Sequence, residues 1–413
     1  MPSVLLAGDP VPEDGALPES ALAGVGTRPF GFYVHVPFCT VRCGYCDFNT
    51  YTAEELGPAG GAPGASRATY AEAAIAEVRR ARQVLGDADL PVGTIFFGGG
   101  TPTLLSPADL GAIVAAIASE FGLAEGAEIT AESNPDSVAL WDLEALRGAG
   151  FNRLSFGMQS AVDQVLKVLD RTHDPLRVPA VVDWARQAGF EPAQGGSISL
   201  DLIYGTPGES LADWETSIEV ALACRPDHVS AYSLIVEEGT ALARRVKRGE
   251  LPMPDDDDLA DKYLLVDERL GADGLEWYEI SNWARGSASR CRHNLLYWTG
   301  GDWWGVGPGA HSHVGGVRWW NVKHPAAYAE RIARGVTPAH AREVLDQESR
   351  RVERVLLELR LRDGLPVSVL DATGRAAVAR LIDEGLLTRH AERLVPTREG
   401  RLLADALVRD LLP

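Results

Sequence analysis

Six short runs rich in β-branched and aromatic residues alternate with helical patterns, and this alternation restricts the fold more than any other feature. The runs are FGFYVHV (30–36), GTIFFGG (93–99), EITAES (128–133), RLSFGM (153–158), SISLDLIYG (197–205) and HVSAYSL (228–234). Helical patterns fall between them, near 67–85, 106–121, 138–148, 161–189 and 210–223. Strict strand–helix alternation predicts an α/β fold with a parallel sheet and crossover helices, either open or closed towards a barrel. The polar residues worth noting sit at the carboxyl ends of the runs: Gly98 to Thr101, Glu132 and Gln159, with Asp201 inside the fifth. Chemistry gathers at that edge in parallel sheets of both kinds, so the candidates point to one rim.

The alternation divides the chain. Residues 1–28, rich in Pro, Gly, Ala and acid, read as a mobile tail, and 29–250 as the strand–helix domain. Leu56 to Ser66 (LGPAGGAPGAS) reads as a loop. The region 251–340 opens on the acidic run Asp255–Asp258, a solvated helix start, and from Trp277 to Trp320 holds seven of the ten tryptophans beside the Gly-rich TGGDWWGVGPG. Residues 341–413 read as three helices, the last near 375–384, then a short hairpin and a final helix, a winged-helix-like order. That order often serves DNA binding, but residues 340–413 hold thirteen Arg against thirteen Asp plus Glu and offer no basic face. A structural or protein-contact role is expected of this module. The whole chain carries a formal net charge of −19, which argues against nucleic acid as a partner. No apolar stretch approaches a membrane span, and no Lys or Arg precedes Arg28, so a cytoplasmic location is expected.

Five cysteines occur, and three of them fall within eight residues, in CTVRCGYC. An odd count so clustered is a poor disulfide framework and reads as metal ligation. Cys39, Cys43 and Cys46, spaced C-x3-C-x2-C after the first strand, suit three corners of an iron–sulfur cube with the fourth iron open to a small molecule. A structural zinc site wants a fourth ligand, and Cys224 and Cys291 are distant.

The segment YVHVPFCTVRCGYC resembles the signature of the radical S-adenosylmethionine superfamily. Its flanks are similar to the oxygen-independent coproporphyrinogen III oxidase family, as are FFGGGTPTLL (96–105), ESNPD (132–136), RLSFGMQS (153–160), LDRTH (169–173) and DLIYGTPGE (201–209). The resemblance runs over roughly residues 30–400. It implies a partial parallel (β/α)6-type barrel with an α+β accessory domain and the C-terminal module. It also implies a [4Fe-4S] cluster on Cys39, Cys43 and Cys46 whose open iron binds S-adenosylmethionine and delivers one electron to its sulfonium. Tyr33, Gly99 and Glu132 would line one cofactor position, and Gly100, Thr101, Tyr45, Gln159, Arg171 and Asp201 a second. Taken singly, the glycines also suit a turn, Glu132 a helix cap, and Tyr33 and Tyr45 the core.

Two features bear on the subgroup. Members that act on coproporphyrinogen III carry a further cysteine two places beyond the third, where this chain has Phe48. His293, Asn294, Tyr297 and Trp298 stand in an H-N-x-x-Y-W arrangement that resembles HemW-type haem chaperones. The resemblance implies haem binding at these four residues, in a Trp- and Gly-rich contact region over 251–340, and delivery of haem to a client among haem-dependent respiratory proteins. A homodimer is left open. The alternative is a coproporphyrinogen III dehydrogenase, so whether the chain is an enzyme is also left open. Imidazole is a good iron ligand and tryptophan a flat apolar platform. On the residues alone, His293 and Asn294 suit a buried hydrogen-bonded pair as well, and Trp298, Trp303 and Trp304 plain packing. His311 and His313 rank below His293 as ligands. A regulatory protein built on the C-terminal module is a third reading, disfavoured by its balanced charge.

Overall fold

The structure is a computed structural model that describes residues 7–57 and 62–412. Six parallel strands run in sequence order: β1 (Phe30–Val36), β2 (Val92–Gly99), β3 (Leu123–Ser133), β4 (Arg153–Gln159), β5 (Ser197–Tyr204) and β6 (His228–Ser233). Each expected run is a strand, and β3 begins earlier than its apolar pattern does. The helix expected over 161–189 is two, Asp163–Val168 and Arg177–Gln187. Pro175 lies between them, where it cannot donate to a helix and disfavours helical backbone at Asp174.

The strands bury the face that packs against the crossover helices. One side chain in two faces the helices: Phe32 packs on Phe121 of helix Pro107–Phe121, ring centroids 5.1 Å apart. Phe97 and Val34 are fully buried in the same core. Each such side chain contributes about 1.5–3 kcal/mol of burial. The alternate residues face the concave side and are left for the site.

The region after 250 hydrogen-bonds onto both edges of the parallel strands. The hairpin β7 (Glu276–Glu279) and β8 (Asn282–Ala284) pairs antiparallel onto β6, while β9 (Asp302–Val306) pairs parallel onto β1 and leads into β10 (His311–Val314), β11 (Val317–Asn321) and β12 (Ala339–Val344). One twelve-stranded sheet results, extended at both edges. Of the seven tryptophans from Trp277 to Trp320, four are in the core and three are partly exposed. Trp283, Trp304, Trp319 and Trp320 are buried, with Trp304 edge-on to Trp319 at 4.8 Å.

The expected tail is packed from residue 7 onward. Asp9 exchanges backbone hydrogen bonds with Arg342 on β12, Thr337 N–H donates to Glu13 O, and Ala21 of the short helix Glu19–Leu22 is fully buried. This segment covers an otherwise open sheet edge, a need that local composition does not reveal. Residues 1–6 lie outside the described residues.

The C-terminal module has its own core, with Leu365, Leu381, Leu394, Leu407 and Leu411 at its centre. It begins with helix Gln347–Glu358, since β12 belongs to the large sheet. Strand β13 (Leu365–Pro366) and a 3-10 turn stand where a second helix was expected, before helix Ala372–Asp383 and the hairpin β14 (Leu387–His390) and β15 (Arg393–Pro396). Among the described residues no helix is long and apolar enough to cross a membrane.

Candidate functional site

The concave side of the parallel strands lines a cavity of about 840 Å3. Strand alternation supplies its wall: Tyr33 from β1, Phe96 from β2, Glu132 from β3, Ser155, Gly157 and Gln159 from β4, Ser199, Asp201 and Ile203 from β5, and Ser230 and Tyr232 from β6. All three clustered cysteines and all nine expected cofactor residues reach this one space: Tyr33, Tyr45, Gly99, Gly100, Thr101, Glu132, Gln159, Arg171 and Asp201.

The cysteine loop is held by backbone. Cys39 N–H donates to Tyr51 O at 3.0 Å, Gly44 N–H to Leu169 O at 3.1 Å, and Leu242 N–H to Gly44 O at 2.8 Å. Burial pushes the Cys39 thiol up to about 11, and the neighbouring Cys46 and Cys43 add to the rise. Burial raises Cys46 as well. Three thiolates so placed oppose one another until a cationic group joins them. Among the described residues no three His, Cys, Asp or Glu side chains converge as ligands of a single ion. Three thiols from one loop at one cavity wall are the donor type that a [4Fe-4S] group takes, so the donor set fits it.

Glycine brings the second loop close. A Cβ on Gly100 would lie 2.4 Å from Phe38 O, and Gly99 has φ +107°, beside the His35 ring. Gly100 N–H bonds Val36 O and Thr101 N–H bonds Phe38 O, each at 2.8 Å, joining this turn to the start of the cysteine loop. Glu132 accepts from Gly99 N–H at 3.2 Å, and burial, then the charge of Asp201, pushes its carboxyl up to about 8. The capping role belongs to Asn134, whose side chain accepts from Asp136 N–H at 3.2 Å. Asp201 accepts from Ser155 Oγ at 2.8 and 2.9 Å, and burial still raises its pKa. Gln159 takes φ +61° where the β4–β5 register shifts, and its amide reaches over Gly157. Strained backbone of this kind concentrates at functional positions. Arg171 donates to Cys43 Sγ at 3.6 Å and to Gly157 O at 2.8 Å. Tyr33 OH bonds His35 Nδ1 at 2.9 Å, and Tyr45 packs against the apolar cluster of Val165, Leu169 and Ile203.

The H-N-x-x-Y-W residues lie at the other end of the cavity. Glu128 accepts from Arg292 and His293 N–H at 3.1 and 2.9 Å, capping helix Arg292–Trp298 beneath the strands. His293, Asn294 and Tyr297 line the floor; Trp298 does not line the cavity. His293 is 1% exposed, and both ring nitrogens are engaged: Nδ1 with Thr94 Oγ1 at 2.8 Å, Nε2 with Tyr297 OH at 2.7 Å. Burial lowers its pKa to about 3. An iron bond from either nitrogen requires one of these contacts to break. Asn294 donates to Glu279 Oε1 at 2.8 Å and makes no pair with His293. His311 and His313 sit on β10, away from the cavity.

Sequence reading missed Val41, Tyr232 and Ile235 at the cavity and Arg153, His228 and Cys291 on its floor. Tyr232 was accessible by parity, two residues beyond Ser230 in β6 and on the same face.

Residues 33–221 match the Radical SAM superfamily, and residues 345–403 match the HemN C-terminal domain. The chain is 50% identical over 392 residues to a Mycobacterium tuberculosis protein named heme chaperone HemW, covering 95% of this chain and 97% of that one. The heme chaperone HemW of Bacillus subtilis is 34% identical over 382 residues, covering 90% and 96%. Among solved structures, the Escherichia coli coproporphyrinogen III oxidase HemN, a radical SAM enzyme, shares the fold with a TM-score of 0.78 at 23% identity, covering 97% of this chain and 94% of that one. At half identity along nearly its whole length, the chain belongs to the HemW family within the radical SAM superfamily.

Proposed function

We propose that the protein is a haem chaperone, which binds haem as cargo and passes it to haem-dependent respiratory proteins. The observation that carries this reading is Phe48. It lines the cavity beside the cysteine loop where the oxidase pattern has a further cysteine, and it presents an exposed apolar ring instead of a thiol. The names of relatives at 50% and 34% identity support the same reading.

Cys39, Cys43 and Cys46 would hold the cluster, and Arg171 would brace the Cys43 sulfur. The cluster, when bound, supplies an electron and an open iron to S-adenosylmethionine. Glu132 offers a carboxylate to the cofactor's ammonium, and Asp201, fixed by Ser155, offers one to ribose hydroxyls. The close turn at Gly99 and Gly100 lets backbone approach the cofactor where a side chain would exclude it.

Anaerobic incubation of the cluster-reconstituted protein with S-adenosylmethionine, reductant and coproporphyrinogen III tests the choice, paired with haem titration. Stoichiometric haem uptake without protoporphyrinogen is the expected result. Protoporphyrinogen formed at catalytic turnover would overturn the proposal in favour of the dehydrogenase.

A further inference from the structure

The cavity changes character along its depth. Its floor and middle carry the polar groups Arg153, Ser155, Ser199, Asp201 and Ser230 beside the rings of Tyr33, Phe96 and Tyr297. Its border carries four large apolar side chains that stay exposed: Val41 at 48%, Phe48 at 62%, Tyr232 at 47% and Ile235 at 64%. Single exposed apolar residues are ordinary, but these four are a third of the twelve such side chains among the described residues, and all border one cavity. Val41 and Phe48 belong to the loop after β1; Tyr232 and Ile235 lie at the end of β6. Gly44 O, in the first of these segments, accepts from Leu242 N–H in helix Ala241–Lys247, which follows the second. S-adenosylmethionine, charged and rich in hydrogen-bonding groups, matches the polar part and leaves these four uncovered.

The histidines at the cavity offer no free nitrogen. His228 bonds Ser199 Oγ and Tyr278 OH, both at 2.8 Å, and His293 bonds Thr94 and Tyr297. His35 behind Tyr33 is likewise engaged, with Tyr33 OH and Asn49 O, both at 2.9 Å.

We infer that the apolar mouth formed by Val41, Phe48, Tyr232 and Ile235 is the seat of the tetrapyrrole, which lies against these side chains without an axial bond from His293. This rests on the haem-chaperone reading and gives it a site. A flat apolar macrocycle is the ligand class that covers such a mouth, and aromatic rings supply much of the contact. Asp47, Asp170 and Glu237 also line the cavity and repel propionates, so the carboxylate edge points outward to water. That leaves the haem half-covered and open to a receiving protein.

The test titrates haem into the cluster-reconstituted protein and follows the Soret band. The variants are Phe48→Ser, Ile235→Ser, both together, and Trp141→Ser as an exposed aromatic outside the cavity. The double variant should bind haem at least about tenfold more weakly with its cluster absorbance retained, while Trp141→Ser binds as the parent does. Parent-like affinity in the double variant, equal loss in Trp141→Ser, or loss confined to a folded His293→Gln protein would overturn the seat alone. No saturable uptake by the parent would overturn the chaperone reading itself.

Discussion

The guanidinium of Arg171 donates to the sulfur of Cys43 at 3.6 Å while its other arm is fixed on Gly157 O at 2.8 Å. A rigid cation against a ligand sulfur stabilises the extra electron of a reduced cluster, because hydrogen bonds to sulfur and local charge set such potentials. Arg171→Gln should therefore lower the midpoint potential, on the order of 60 mV for a tenfold change in a one-electron couple. A redox titration followed by electron paramagnetic resonance reads this directly. An unchanged midpoint would refute this role for Arg171.

Gly100 explains why the turn after β2 tolerates no side chain. The added methyl of Gly100→Ala would meet Phe38 O at 2.4 Å and Val36 O at 3.0 Å, both backbone atoms at the start of the cysteine loop. Relief requires the loop to shift, at a cost of about 1–3 kcal/mol. Iron content after reconstitution should fall with thermal stability, and a variant with full iron content would refute the coupling.

The buried histidines predict an acid-sensitive fold. Burial lowers His293 to about 3 and His35 to about 4, and drives His228 well below its ordinary value of 6.5. Between 6.5 and those values the unfolded chain binds more protons than the folded one, so this stability is present above pH 6.5 and is lost as pH falls. His293→Gln should flatten the fall of melting temperature between pH 6.5 and 3. Equal slopes for parent and variant would show that His293 does not titrate on unfolding.

Much of this was legible from residue order. The β-branched runs became β1 to β6, and strand parity put Glu132, Gln159 and Asp201 on the concave face with the cysteines. Pairing across long separations was not legible. Nothing local says that Asp302–Val306 joins β1 while Asn282–Ala284 joins β6, so the continuity of the sheet was not readable from the chain. The same limit hid one partner of His293: Thr94 is 199 residues away, whereas Tyr297 is only four residues on.

Asp267 ties the C-terminal module to the large sheet. Its carboxylate accepts from Arg401 at 2.9 and 2.7 Å and from Trp283 Nε1 at 2.9 Å, with Arg398 Nε at 3.2 Å. Burial works against its charge, yet the Arg401 hydrogen bonds and charge hold its pKa below the usual carboxylate value, so this stability is present above pH 4 and lost in acid. Removing one side of a largely buried pair strands the other, and Asp267→Ala should cost about 3 kcal/mol. Arg401→Ala added to it should cost less than the sum of the single changes, because the stranded charge is gone. Limited proteolysis should then cut near residue 345 and release the module. Haem uptake should persist in the intact variant, since neither residue lines the cavity. Loss of haem binding in an uncleaved Asp267→Ala protein would instead make the module part of the binding machinery.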